Sequence, residues 1–96
     1  MKKIVYISGK VRGVPNFEEL FAEAQKKLEA KGYIVFNPAT MPKGIENNAI
    51  YMNVGIEMLK NSDYIYMLDN WKESPGAQAE RNFAMTCGIP ILHPKF

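Results

Sequence analysis

The residues best suited to chemistry fall in a few short clusters. They are Ser8-Gly9-Lys10 with Arg12-Gly13, Asn37-Pro38, Asp69-Asn70-Trp71, Ser74-Pro75-Gly76 and, one turn further on, Glu80. The first cluster suits an anion: two glycines let backbone amides come close to a ligand, and Lys10 and Arg12 add positive charge. It matches neither G-x-x-x-x-G-K-[ST] nor G-x-G-x-x-G, so no Walker A or dinucleotide fingerprint is implied. A plain tight turn after a strand is the alternative. Ser74-Pro75-Gly76 opens a helix with a hydroxyl cap, a proline in the first turn and a glycine that permits close approach. Free amides at such an end make an anion site. Glu80 has Phe83, Ala84 and Cys87 as its neighbours at i+3, i+4 and i+7, an apolar face. A lone charge turned toward a sheet is expensive. Two explanations follow: an ion pair to Arg12 or Lys10, or a catalytic carboxylate kept partly ionised by the helix N-terminus and those same cations.

Other chemistries fit less well. Ser8, Asp69 and His93 lack the nucleophile elbow that a Ser-His-Asp reading needs. One His and one Cys furnish neither a structural zinc site nor an internal disulfide. Trp71 and Tyr51 belong to the core or stack on a base, Tyr64 and Tyr66 read as core, and His93 reads as solvated. Twelve basic residues against ten acidic ones give a net charge of +2, and they are scattered rather than striped, which argues against a nucleic-acid polymer. Apolar runs reach only about five residues, too few to span a membrane. No apolar stretch of signal-peptide length follows Lys2-Lys3. A soluble cytoplasmic protein is expected, with residues 1–96 forming one domain.

These clusters need a scaffold. Lys3–Ser8, Tyr33–Asn37, Tyr64–Leu68 and Ile89–Leu92 are short runs rich in β-branched and aromatic residues, without polar alternation. Strands buried on both faces of a parallel sheet read this way. Asn16 with Glu19 predicts a capping box, followed by an apolar stripe of Phe17, Leu20, Phe21, Ala24 and Leu28, with Gly32 as the stop. A second helix is predicted over roughly residues 50–60, apolar on more than one face, and a third from near Gly76 to Cys87, ending at Gly88. Residues 38–49 form the one long irregular stretch, a length more often functional than idle. Pro90 implies an edge strand or the first position of its strand. The order β-α-β-α-β-α-β predicts an α/β fold: a single doubly wound parallel sheet of about four strands with helices on both faces, flavodoxin- or Rossmann-like. Ligands bind at the carboxyl ends of such strands, where the clusters lie. The apolar second helix predicts a homodimer or larger symmetric assembly.

The chain also resembles the nucleoside 2-deoxyribosyltransferase superfamily, including the 2′-deoxynucleoside 5′-phosphate N-hydrolases and small bacterial and phage members. The likeness covers nearly the whole chain. It rests on Tyr6 to Gly13, on Asn37-Pro38, and on Leu68 to Glu80. The spacing Ser74-x-Gly76-x-x-x-Glu80, followed by Ala84 and Gly88-Ile89-Pro90, is its most specific part. The resemblance implies that Glu80 attacks the anomeric carbon and that Ser74 and Gly76 hold a 5′-phosphate. It implies a nucleotide or nucleoside substrate and no cofactor. It also implies an acid for the leaving base on the helix before the third strand. There the chain reads Tyr51-Met52-Asn53-Val54, with no carboxylate until Glu57, so Asp69 is a substitute candidate. A catalytically weak nucleotide-binding module is the alternative. A phosphoribohydrolase is disfavoured because P-G-G-x-G-T-x-x-E is absent.

Overall fold

A computed structural model describes residues 1–95. Four strands, β1 (Ile4–Ser8), β2 (Ile34–Phe36), β3 (Tyr64–Met67) and β4 (Ile91–Leu92), form one sheet in the order β2-β1-β3-β4. Every pairing is parallel: Val5 lies beside Val35, Tyr6 beside Ile65, and Ile65 beside Ile91. The predicted doubly wound α/β architecture is therefore present, with strands slightly shorter than the apolar runs. Strand order reverses between β1 and β3, the switch point where such sheets bind ligands.

Three helices cover the sheet: α1 (Phe17–Ala30), α2 (Asn48–Lys60) and α3 (Pro75–Thr86). Side chains alternate across β1, so Val5 and Ile7 face α1 with Phe21, Ala24 and Leu28, while Tyr6 and Ser8 face the other way. On that second face Tyr6, Leu59, Ile65, Met67, Ala77 and Ala84 form the layer beneath α2 and α3. Leu59 is fully buried, and its truncation to alanine would cost about 2–5 kcal/mol.

Local details differ from expectation where side chains compete. Asn16 sits at the start of α1, but its φ of −106° and ψ of 29° are not extended, and no side-chain cap forms. The capping box with Glu19 is absent because a side-chain cap needs the extended backbone at that residue. Gly32, with φ +95°, does end the α1 region. The second helix starts two residues earlier than expected, since the Asn47 side chain accepts from the Ala49 amide at 3.1 Å. Cys87 is exposed, not part of an inward face, because it lies past the last turn of α3 as its C-cap. Pro90 lies just before β4, and its carbonyl accepts from the Ile65 amide, which leaves β4 as an edge. No helix of the described residues is long and apolar enough to cross a membrane.

Candidate active site

The carboxyl end of β1, the turn after β2 and the start of α3 border a cleft of about 720 Å³. Its floor holds Tyr6, Ser8 and Glu80. Glu80 reaches the floor because α3 turns the same face inward at Ala77, Glu80 and Ala84, all buried. Tyr6 and Ser8 reach it because they stand two residues apart on β1 and share a face. The Tyr6 hydroxyl donates to Glu80 Oε2 at 2.5 Å and the Ser8 hydroxyl donates to Oε1 at 2.7 Å. Each carboxylate oxygen thus receives one hydroxyl proton, a pattern that fits the ionised form.

Burial nonetheless raises the Glu80 pKa above the ordinary carboxylate value, and the two hydroxyl bonds pull it back only in part. Tyr6 is pushed up too, by burial first, then by the Glu80 charge and by donating to it. Tyr6 is therefore a hydrogen-bond donor that keeps its proton. The expected counter-charge is missing: both Glu80 oxygens are held by hydroxyls, and neither Lys10 nor Arg12 pairs with it. The ion-pair explanation of Glu80 is overturned. Neutral donors suffice because α3 brings the carboxylate onto β1, inside the layer, while the cationic side chains stand at the rim.

The rim gathers several predicted residues. Lys10 and Arg12 line one side, carried by a loop that the Asn70 side chain fixes by accepting the Lys10 amide at 2.9 Å. Gly9 is required there, since a Cβ would fall 2.6–3.0 Å from the Leu68 side chain. Ser74 and Gly76 line another side, with the Ser74 oxygen accepting from the Ala77 amide at 3.1 Å. The hydroxyl proton of Ser74 and the Gly76 amide stay available there for a ligand. Met41, Tyr51 and Met52 form an apolar stretch of the lining, and Met52 comes close to Gly76. The Tyr51 hydroxyl donates to the Pro42 carbonyl at 2.7 Å and accepts from the Ile45 amide at 3.1 Å, so it presents its ring to the cleft.

Four predicted site residues do not line this cleft. Asp69 is exposed and borders a separate depression of about 380 Å³ on the α1 side, with Lys27 and Pro94. Asn37 is structural: its Oδ1 accepts from the Ala39 amide and its amide nitrogen donates to Gln25, each at 2.9 Å. Gly13 supplies a turn with φ +75°. Trp71 packs on the α2–α3 side, with the Arg81 guanidinium 4.6 Å from its ring centre. Glu57 points to solvent and pairs with Lys60 at 3.1 Å, so it supplies no acid to the cleft. Sequence reasoning missed Tyr6 as a partner of Glu80. The period-2 spacing of Tyr6 and Ser8 was the signal that could have found it. Among the described residues no group of three or more His, Cys, Asp or Glu could hold a metal ion.

This sheet order, with helices on both faces, defines a doubly wound parallel α/β fold. The fold is similar to a solved structure, a 2-desoxiribosyltransferase from Leishmania mexicana, with a TM-score of 0.74 at 21% sequence identity. The match covers 95% of this chain and 63% of that one, so this chain spans under two thirds of that enzyme's length. No protein of curated function matches the sequence. A family model described as Domain of unknown function (DUF4406) matches residues 3–93, and the chain belongs to that family.

Proposed function

We propose that this protein cleaves the N-glycosidic bond of (deoxy)nucleoside 5′-monophosphates, as an N-glycosidase or 2-deoxyribosyltransferase. The observation that carries the reading is Glu80: a buried carboxylate at the switch point, held by two hydroxyl donors and facing an open cleft. In this reading one Glu80 oxygen attacks C1′ of the sugar as the C1′–N bond breaks, and its electron pair leaves with the base. Water or a second base then displaces Glu80 from the glycosyl ester and gives up a proton, which passes through solvent to the departed base, and the carboxylate is restored. The Tyr6 and Ser8 bonds hold the carboxylate in one orientation before attack. Ser74, the Gly76 amide, Lys10 and Arg12 surround the place for the 5′-phosphate, and the apolar stretch with Tyr51 receives the base.

A second reading, a nucleotide-binding module that releases no base, is favoured by one feature. Asp69 and Glu57, the carboxylates considered for leaving-group protonation, both lie outside the cleft. Incubation with a panel of deoxynucleoside monophosphates and nucleosides separates the two readings. Free base from the monophosphates supports the glycosidase, and tight binding without release supports the module.

A further inference from the structure

Gly55 stands inside α2, where glycine is unfavourable relative to alanine. No left-handed backbone asks for it; the positive-φ glycines are Gly13, Gly32, Gly44 and Gly88. Its surroundings supply the reason. A Cβ at Gly55 would lie 2.8 Å from the Tyr6 hydroxyl oxygen and 2.9 Å from Glu80 Oε2. Those are the two atoms joined by the 2.5 Å hydrogen bond. The backbone of α2 therefore lies directly over that bond. Neighbours on the same helical face hold it there: Leu59, one turn on, is fully buried, and Met52, one turn back, comes within 3.5 Å of where a Gly76 Cβ would stand.

We propose that Gly55 is a positioning residue for Glu80: by carrying no side chain, it lets the α2 backbone close over the Tyr6–Glu80 bond, exclude water from the carboxylate and fix its orientation toward the cleft. The proposal rests on the reading of Glu80 as the nucleophile. An added methyl group must displace something. Tyr6 belongs to a strand paired on both sides, and Glu80 belongs to a helix packed on β1 and β3. α2 has an outer face of exposed Asn53, Val54 and Glu57, so α2 is the element that yields. Water then reaches Oε2, and the burial that holds the Glu80 carboxyl above its ordinary range is relieved.

The test is Gly55→Ala in the full chain, read in two ways. The ionisation of Glu80 is followed against pH by difference infrared spectroscopy of the carboxyl band, with Glu80→Gln as the blank. Base release from deoxynucleoside monophosphates is measured in parallel. The expected result is a midpoint that falls toward the ordinary carboxylate value. The kcat should fall about tenfold or more while KM changes less than about threefold, since the phosphate contacts lie elsewhere. Leu28→Ala, in the core on the opposite, α1 face of the sheet, should lower the melting temperature and leave the midpoint in place. A midpoint unchanged by Gly55→Ala overturns the proposal. Should Gly55→Ala not fold, Tyr6→Phe/Gly55→Ala removes the closer collision and is compared with Tyr6→Phe alone. A lower midpoint in the double variant supports the proposal, and equal midpoints overturn it. The infrared measurement needs no turnover, so a parent that releases no base sinks the functional reading while the midpoint still decides the role of Gly55.

Discussion

Replacing Glu80 by glutamine separates the chemistry of the carboxylate from its effect on stability. In the parent, burial holds the folded-state pKa above that of the unfolded chain. The stability contributed by Glu80 is therefore fully present below the unfolded pKa, about 4.3, and is lost as pH rises through the raised folded value. Each unit of that shift removes about 1.4 kcal/mol by neutral pH. Glutamine does not ionise, so it escapes this loss. Against that, glutamine offers one carbonyl oxygen where the carboxylate used two, at 2.5 and 2.7 Å from its donors. That weakens one hydroxyl contact by about 1–3 kcal/mol at every pH. The stability of Glu80→Gln relative to the parent should therefore start low in acid and climb toward neutral pH, then level off. Urea denaturation at a series of pH values measures it. The same variant should release no base. A relative stability that falls as pH rises would mean that the carboxylate is held by a positive charge, and the account of the site would be wrong.

Tyr6→Phe removes a hydrogen bond to a buried charge, about 1.5–3 kcal/mol. It should shift the acid limb of the base-release profile to higher pH and slow release about tenfold or more at neutral pH; an unmoved limb counts against the role given to Tyr6. Ser74→Ala should cost about 0.5–2 kcal/mol through the lost α3 cap, and should narrow the affinity gap between nucleoside 5′-monophosphates and nucleosides measured by calorimetry. Equal affinities in the parent would refute the phosphate assignment. Ile50 and Val54 are each 41% exposed on α2, and a homodimer burying them should appear by sedimentation at tens of micromolar, whereas a monomer there would contradict it.

The sheet was legible because strands buried on both faces show as unbroken apolar runs, and α3 because Ser74, Pro75 and Gly88 punctuate it. Glu80 stood out as a carboxylate on a face otherwise fit for a core. Its partners were hidden for a physical reason: Tyr6 reads as an ordinary strand aromatic until β1 and α3 are brought together across 74 residues of chain. Asp69 and Asn37 share the strand ends with true cleft residues, but the turn after each strand decides which way a side chain faces. Asn37 is used up as the cap of the short turn at Pro38–Thr40. Asp69 opens the turn Asp69–Glu73 on the α1 side. Gly55 carries no side chain to draw attention, and only the distance from its missing Cβ to Glu80 gives it meaning.

The most direct test of the central claim is to quench the protein with acid during turnover of a deoxynucleoside 5′-monophosphate and to map the peptides by mass. The account predicts a mass increase of one deoxyribosyl 5-phosphate group on the peptide that carries Glu80, absent from Glu80→Gln. Base release that persists in Glu80→Gln, with no modified peptide in the parent, would contradict it.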